Sequence, residues 1–359
     1  MLFPIAGLTL SPAYLVGIGF TVGVCGGFWG VGGGWIATPA LYALGLPMNL
    51  AVGTDLAHIL GHSIISTFRH AKFGNVSFIV AGVMVPGLMV GVEIGARTMQ
   101  YLTMLGPEAV NSVISFLYVV LLCSLSLFTF VEALRAARCR RGVEKGADVQ
   151  GEGPVSCEVE DRVTWDIASR LHKLRVPPLV SCKVACIQDV SVWIIVATSL
   201  ITGIFSGLLG VGGGFIMLPA LVYLVGCPTH VAVGTGLLSV VVTGAYGTFT
   251  HALKGNVDLL IALMMLLGAV FGTQLGTFAT RYVKGAELRA LFGVGILAAA
   301  TAVVLKTYLG LPQVALVVVL VMAGGMSLLI VSYLIGGMMK AARAHRTVSV
   351  EGQEGARGS

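Results

Sequence analysis

Charged residues are scarce in this chain. Asp, Glu, Lys and Arg make up 11% of its 359 residues, whereas about a quarter is usual for a soluble domain. Hydrophobic residues account for 56%, and the mean hydropathy is +0.94. This composition excludes an ordinary soluble protein and is typical of a membrane protein. The net charge of +6 arises from basic loops and tails, so it predicts no nucleic-acid partner.

Other absences narrow the class. The long hydrophobic runs lack polar alternation, which excludes an outer-membrane barrel. No Lys or Arg precedes the first apolar stretch, so we expect a retained first span and not a cleaved secretory signal. The chain has no HExxH motif, and its seven cysteines lack zinc spacing. We therefore expect no metal and no cofactor, and interpret CKVAC (182–186) as ordinary thiols, with a metal or redox site as the alternative.

The chain contains an internal repeat. Residues 30–56 are GVGGGWIATPALYALGLPMNLAVGTDL, and residues 210–237 are GVGGGFIMLPALVYLVGCPTHVAVGTGL. Pro39 and Pro219 lie 180 positions apart, and after one inserted residue the offset becomes 181. The pairs matched at the second offset include Thr54 with Thr235, His70 with His251, Gly74-Asn75 with Gly255-Asn256, and Glu93 with Gln274. A match of this length indicates duplication.

The apolar runs predict an all-α polytopic membrane protein with two inverted repeats of about five transmembrane segments plus one extra C-terminal span. The predicted segments are 12–28, 34–46, 50–71, 76–98, 109–131, 191–208, 214–227, 231–252, 257–280, 286–306 and 313–338. The predicted domains are a first repeat (1–131), a polar linker (132–190), a second repeat (191–308), the extra span (309–338) and a tail (339–359). Segments 34–46 and 214–227 are short for a crossing, and if neither crosses, the halves become parallel.

Basic residues predict the orientation. With the linker and the tail in the cytoplasm, 19 of the 22 Lys and Arg residues lie inside, and Arg97, Lys254 and Lys306 lie outside. Met1 is then external. Within the linker, Ile167, Leu171 and Leu174 follow helical spacing, which favours either a short surface helix or a disordered tether.

The two glycine clusters are the candidate substrate site. Three consecutive glycines allow backbone N–H groups to converge in one concavity, and the helix that follows adds its positive N-terminal end. Prolines then interrupt both short helices, as in the midplane sites of transporters. The alternative role of the glycines is close helix packing. The candidate substrate-binding residues are Gly32, Gly33, Gly34, Pro39, Gly212, Gly213, Gly214 and Pro219.

Each half also offers one hydroxyl near the start of a long helix. Thr54 and Thr235 end the two Ala-Val-Gly-Thr stretches. Their side chains are candidates for hydrogen bonds to a substrate oxygen, and a bond to the backbone of their own helix is the alternative.

Ionisable residues within the spans are candidates for coupling or gating. Asp55, His58 and His62 lie at positions i, i+3 and i+7, on one helical face, where they could relay protons, bind a cation or form a structural pair. Glu93 and Gln274 each lie within a run of glycines spaced by four, which predicts close helix contact, with a coupling-ion ligand as the other role for Glu93. His70 and His251 precede Gly-Asn turns, so they are candidates for turn formation or gating.

The paired G-x-GGG-x4-P segments, each followed by AVGT and a Gly-Asn-Val loop, resemble the TauE/SafE family of sulfite exporters and related sulfur-anion permeases. The likeness covers about residues 12–131 and 191–306. It implies a carrier of small sulfur anions, driven by an ion gradient, in the inner membrane of a bacterium or archaeon. The glycine clusters, the two prolines and the two threonines are the site positions that it implies. The charged linker and the extra last span depart from the family pattern.

We therefore predict a secondary transporter for a small anion such as sulfite or an organosulfonate. Its expected partners are the anion, a coupling ion (H+ or Na+), the lipid bilayer and, as an open alternative, a second copy of the chain. An anion channel and a membrane enzyme or assembly factor are the competing classes. Ser63 beside His62 does not make a nucleophile–base pair, because adjacent helical residues point about 100° apart.

Overall fold

The structure of the protein is a computed structural model. It describes residues 2–3, 5–143, 176–182, 184–185, 187–283 and 285–357. The helices of the first half are α1 (Pro12–Trp29), α2 (Gly34–Ala43), α3 (Met48–Lys72), α4 (Phe78–Met104) and α5 (Pro107–Val143). Those of the second half are α6 (Val192–Leu209), α7 (Gly214–Ala220), α8 (Thr229–Leu253), α9 (Leu259–Ala279) and α10 (Gly285–Thr307), followed by α11 (Pro312–Arg357). A π-helical turn, Leu221–Val225, extends α7.

All of the predicted apolar segments are helical. Eight of the described helices are long and apolar enough to cross a membrane: α1, α4, α5, α6, α8, α9, α10 and α11. The short α2 and α7 are not among them, nor is α3, although α3 and its repeat mate α8 each have 25 residues. The difference is compositional, because α3 carries an Asp, three His, an Arg and a Lys.

Glycine stripes join the first helix of each half to the fourth helix of the other. A Cβ atom on Gly268 would overlap the carbonyl oxygen of Val16, and one on Gly272 would overlap that of Phe20, so α1 and α9 run parallel in backbone contact. On the matching pair, Gly91 and Gly95 meet α6 in the same manner. The small residues thus allow two tight helix pairs, each formed by both halves.

The central pair, α3 and α8, runs antiparallel. A Cβ atom on Gly247 would lie 3.0 Å from Leu56, and one on Gly244 would lie 3.3 Å from Leu60. Residue numbers therefore rise along α3 in the direction in which they fall along α8. Both helices are largely buried by their neighbours. Asp55 and the three histidines of α3 are therefore enclosed by protein.

The repeated motifs hold the two halves together. A Cβ atom on Gly53 would overlap the carbonyl oxygen of Asn256, and one on Gly234 would overlap that of Asn75. The glycine of each Ala-Val-Gly-Thr stretch thus packs on the Gly-Asn turn of the other half. These contacts give a structural reason for both motifs.

A β-hairpin precedes the first helix of each half. Strands β1 (Leu2–Phe3) and β2 (Leu8–Thr9) pair antiparallel before α1, and β3 (Leu179–Cys182) and β4 (Ile187–Ser191) pair antiparallel before α6. The end of the predicted polar linker is therefore a hairpin and part of the second half. The helix proposed around Ile167, Leu171 and Leu174 lies outside the described residues, as does Cys186.

Each hairpin contacts the residue that caps a helix of the other half. The backbone N–H of Ala6 donates to Asp258, which caps the N-terminus of α9. The thiol of Cys182 lies 3.2 Å from the hydroxyl of Ser77, which caps the N-terminus of α4. The hairpins cover opposite ends of the bundle, because Asp258 binds Thr54 near the start of α3, whereas Ser77 binds Thr235 near the start of the antiparallel α8.

Candidate functional site

The two glycine loops, residues 30–34 and 210–214, meet at the centre of the bundle. A Cβ atom on Gly34 would lie 2.7 Å from Cα of Val211, and one on Gly214 would lie 2.6 Å from Cα of Val31. The loops therefore touch each other through their backbones. The structure brings together two clusters that are 180 positions apart in sequence.

The depth of the loops is fixed by the central helices. Cβ atoms on Gly32 and Gly212 would both lie against the side chains of Ile59 and Val240. Ile59 is near the middle of α3, and Val240 is near the middle of α8. The glycine loops thus lie halfway along the two central helices, each of 25 residues.

The backbone of these loops requires glycine. Gly32 and Gly33 have φ angles of 79° and 75°, and Gly212 and Gly213 have φ angles of 69° and 75°, all in the left-handed region. At both loops the polypeptide turns sharply from a long helix into a short one. The sequence analysis predicted this conformational need from the three consecutive glycines.

Each loop presents a helix N-terminus to the centre. The carbonyl of Gly33 accepts hydrogen bonds from the N–H groups of Ile36 and Ala37, and the carbonyl of Gly213 does the same at the start of α7. The first N–H groups of each helix have no partner within that helix. Pro39 and Pro219 lie inside the two short helices, where each lacks the N–H of an interior residue.

Three fully buried polar side chains surround the loops. His62 approaches the first loop, because its Cε1 atom lies 3.0 Å from the Cβ position of Gly26, which packs on Gly32 and Gly33. Ser63 Oγ lies 3.7 Å from the Cβ position of Gly32. Neither ring nitrogen of His62 has a hydrogen-bond partner among the described residues, and neither does Ser63 Oγ or Ser206 Oγ. Such orphan polar atoms are costly unless a ligand or water engages them.

Asp55 connects α3 to α2. Its Oδ2 atom accepts a 2.6 Å hydrogen bond from the Thr38 hydroxyl, and its Oδ1 atom lies 3.2 Å from Nδ1 of His58. The ring of His58 is 4.9 Å from the ring of His62, centroid to centroid. The predicted single face of Asp55, His58 and His62 is therefore a buried chain of side chains that ends at the first glycine loop.

Thr54 and Thr235 do not reach the glycine loops. The hydroxyl of Thr54 accepts the N–H of Asp258, and that of Thr235 accepts the N–H of Ser77. Both threonines lie near the first turn or two of their helices, at opposite ends of the bundle. Their contacts link the halves, so we leave them out of the proposed anion site.

Glu93 and Gln274 are also remote from the loops. Glu93 forms a 2.6 Å ion pair with Arg97 and accepts a hydrogen bond from Tyr246, and its side chain is 30% exposed. Gln274 accepts a hydrogen bond from Arg69. These contacts favour the structural role that the glycine stripes predicted for this position.

His70 and His251 occupy equivalent positions at opposite ends. Nε2 of His70 lies 3.4 Å from the carbonyl oxygen of Gly27, and Nε2 of His251 lies 2.8 Å from that of Gly207. Their own carbonyls accept the N–H groups of Asn75 and Asn256, which closes the Gly-Asn turns. This geometry supports turn formation.

Thr38, Tyr118 and Ser206 are polar residues of the site that the sequence analysis missed. The hydroxyl of Tyr118 donates to the carbonyl of Gly34. Thr38 directly precedes Pro39 and is polar within an apolar segment, a signal that could have identified it. Tyr118 lies far from the repeated motifs in sequence, and nothing in its local sequence links it to them.

The comparisons with known proteins agree with this architecture. The profile of the sulfite exporter TauE/SafE family matches residues 15–303, which include both glycine loops. The chain belongs to this family. As a TauE/SafE protein with eight membrane-capable helices in the part of the chain that the structure describes, it is a multi-pass cell membrane protein and a membrane transporter. Helix α11 lies outside the matched range, as expected for an added last span.

Two TauE/SafE relatives match over most of their length. The probable membrane transporter protein YunE of Bacillus subtilis is 26% identical over 280 residues, which are 76% of this chain and 89% of YunE. A probable membrane transporter protein of Methanocaldococcus jannaschii is 26% identical over 298 residues, which are 79% and 91% of the two chains. A probable membrane transporter protein of Xylella fastidiosa is 36% identical over 117 residues, or 32% of this chain. No solved structure matches the chain.

Proposed function

We propose that this protein is a secondary transporter for a small anion of the sulfur oxyanion or organosulfonate class, driven by an ion gradient. The observation that carries the proposal is the contact between the two glycine loops halfway along α3 and α8. We propose no catalytic reaction for it. The substrate class follows from the resemblance of the motifs and from the match to sulfite exporters.

The electrostatics of the loops suit an anion. The N-terminus of a helix carries roughly half a positive charge, so two of them offset about one negative charge. No Lys or Arg lies within residues 30–46 or 210–227. The buried hydroxyls of Ser63 and Ser206 and the ring of His62 add hydrogen-bonding groups that are uncommitted among the described residues. A small oxyanion held by N–H and O–H donors fits this set.

We further propose that the two halves are inverted repeats with the boundaries given by the sequence analysis. The antiparallel packing of α3 on α8 supports this, because these helices are matched by the repeat. The short α2 starts beside Ile59, at mid-depth, and leads into α3 at the end of the bundle where α1 begins. Because α1 and α2 together start and finish at this end, they add no net crossing. Helices α3, α4 and α5 then give each half an odd number of crossings, so the halves stay inverted although α2 does not cross. Inversion about a central site is the usual architecture for alternating access.

The inverted arrangement predicts that the linker is cytoplasmic and that Met1 is external. In a variant that retains only Cys157, an impermeant thiol reagent applied to intact cells should leave this cysteine unmodified, and permeabilisation should expose it. The same background with Met104→Cys in place of Cys157 is the positive control, because Met104 is 75% exposed at the end of α4 that would face outward. Modification of Cys157 in intact cells would contradict the inverted topology.

Transport in proteoliposomes tests the function directly. We expect saturable exchange of at least one labelled compound among the anions sulfite, thiosulfate and sulfoacetate and the zwitterionic sulfonate taurine against the same unlabelled compound inside. Protein-free liposomes and competition by excess unlabelled anion control for leakage. Absence of exchange with all four compounds would refute the proposed substrate class, and electrical currents above carrier rates would favour the channel.

A further inference from the structure

Asp55, His58 and His62 form a buried chain of side chains on α3, and few groups from other helices face it. Asp55, His58 and His62 have no exposed surface, and the ion-pair partner recorded for Asp55 among the described residues is His58. Thr38 of α2 donates a hydrogen bond to Asp55, Tyr118 of α5 lies near Asp55, and Leu266 of α9 lies against Gly61 of α3. Tyr118 is the titratable one. Arg69, also on α3, points away to Gln274 and Phe278.

The chain of Asp55, His58 and His62 has no counterpart in the second half of the protein. The repeat places Gly236 opposite Asp55, Ser239 opposite His58 and Thr243 opposite His62. Thr243 donates a 2.7 Å hydrogen bond to the carbonyl of Gly212 in the second loop. Its repeat mate His62 approaches the first loop. The two halves therefore share a backbone site, but one of them has replaced neutral hydroxyls and a glycine with three ionisable groups.

The chemistry of the chain suits a proton better than a metal cation. Asp55 and His58 can share one proton without net charge, and loss of that proton leaves a buried negative charge, which costs several kcal/mol without a partner. Na+ would require several oxygen ligands, whereas this group offers the oxygens of Asp55 and Thr38 beside imidazole rings. Imidazole both accepts and donates a proton near neutral pH.

We propose that the coupling ion is a proton, which Asp55 and His58 bind and His62 carries to the anion at the first glycine loop. The proposal rests on the proposed anion transport. One proton enters with each anion and leaves with it on the other side, so only O–H and N–H bonds form and break. Protonated His62 supplies the positive charge that the loops lack beyond their helix termini, which links anion binding to proton binding.

A pH gradient should drive accumulation by the wild type. With the membrane potential clamped, one pH unit is worth about 1.4 kcal/mol per proton and supports roughly tenfold accumulation for one proton per anion. The probe is labelled sulfoacetate or thiosulfate, whichever the protein exchanges, because both stay ionised near neutral pH. A pH-sensitive dye inside the vesicles should report proton entry with the anion.

The variants separate coupling from transport. We expect Asp55→Asn to retain exchange at equal pH while losing both gradient-driven accumulation and proton entry. His62→Gln should lose the same two activities and also bind the anion less tightly, because the ring of His62 contacts the anion. Glu93→Gln is the matched carboxylate control, and Ser239→Ala is the control at the repeat mate of His58. Both should accumulate the anion like the wild type.

The outcomes distinguish the two proposals. If the wild type exchanges none of the anions, the proposed function fails. If the wild type exchanges an anion but accumulates it with a Na+ gradient and not with a pH gradient, the proton proposal alone is overturned. Gradient-driven accumulation that persists in both Asp55→Asn and His62→Gln overturns it as well.

Discussion

Replacement of Gly272 by Leu is expected to destabilise the folded chain strongly. A Cβ atom at this position would overlap the carbonyl oxygen of Phe20 and lie 2.9 Å from the backbone nitrogen of Val24 on α1. Backbone atoms cannot rotate away, so α1 and α9 would have to separate along their whole parallel contact. Overpacking in a tight core costs about 1–3 kcal/mol, which lowers the ratio of folded to unfolded protein roughly fivefold to more than a hundredfold.

The control for this prediction is Gly82→Leu. Gly82 also lies within a transmembrane helix, but a Cβ atom there would meet no atom within 4 Å. Helix propensity favours Leu over Gly by up to about 1 kcal/mol at either position, so a loss at Gly272 alone must come from packing. The measurement is the yield of monodisperse protein in detergent and its thermal unfolding midpoint. Equal yield and midpoint for the two variants would contradict the close packing of α1 on α9.

The glycine stripes illustrate what a sequence can predict about this fold. The spacing Gly268, Gly272 and Gly276 predicted a smooth helix face, because every fourth residue of a helix returns to the same side. It did not predict that this face packs on α1, the first helix of the other half. Helix pairing depends on how all the segments fill space, and the glycines of one helix carry no mark of their partner.

The face of a residue is easier to predict than its depth and its partner. Asp55, His58 and His62 were placed on one side of α3 by their spacing, and they form one chain. Thr54 was a candidate for a substrate contact because it ends an Ala-Val-Gly-Thr stretch near the start of a helix, and its hydroxyl accepts a backbone N–H from Asp258. A threonine has the same sequence signature in both roles, so only the position of the other half distinguishes them.

The hairpins could not be predicted from local sequence. Strands β1 and β2 are two residues long, which gives no detectable alternation, and β3 follows a segment rich in charge. Their position before the first helix of each half became evident from the duplicated architecture. The equivalence of Asp258 and Ser77 at the offset of 181 was present in the sequence, but its meaning depends on the hairpin that each residue contacts.

Replacement of Gly33 or Gly213 by Ala is expected to weaken anion binding by roughly ten- to a hundredfold, the effect of losing about 1.5–3 kcal/mol of hydrogen bonding to a charged group. At Gly33, where φ is 75°, the new Cβ atom would lie 2.5 Å from Cγ1 and 2.8 Å from the carbonyl oxygen of Val22. At Gly213 it would lie 2.6 Å from Cγ2 of Thr202. Either contact displaces a loop and the helix N-terminus that it positions.

Gly74→Ala is the matched control for this prediction. Gly74 has a φ angle of 76°, so alanine meets the same left-handed strain of about 1–2 kcal/mol, but its Cβ atom would have no neighbour within 4 Å. The measurement is titration of purified protein with the anion that the wild type exchanges, after size-exclusion chromatography and thermal unfolding have established that each variant folds. The Gly33 and Gly213 variants should both lose affinity while the Gly74 variant keeps it, because a site shared by two helix termini depends on both. If both folded loop variants bind the anion with wild-type affinity, the glycines serve helix packing and not binding. If only one variant loses affinity, the site lies in a single half.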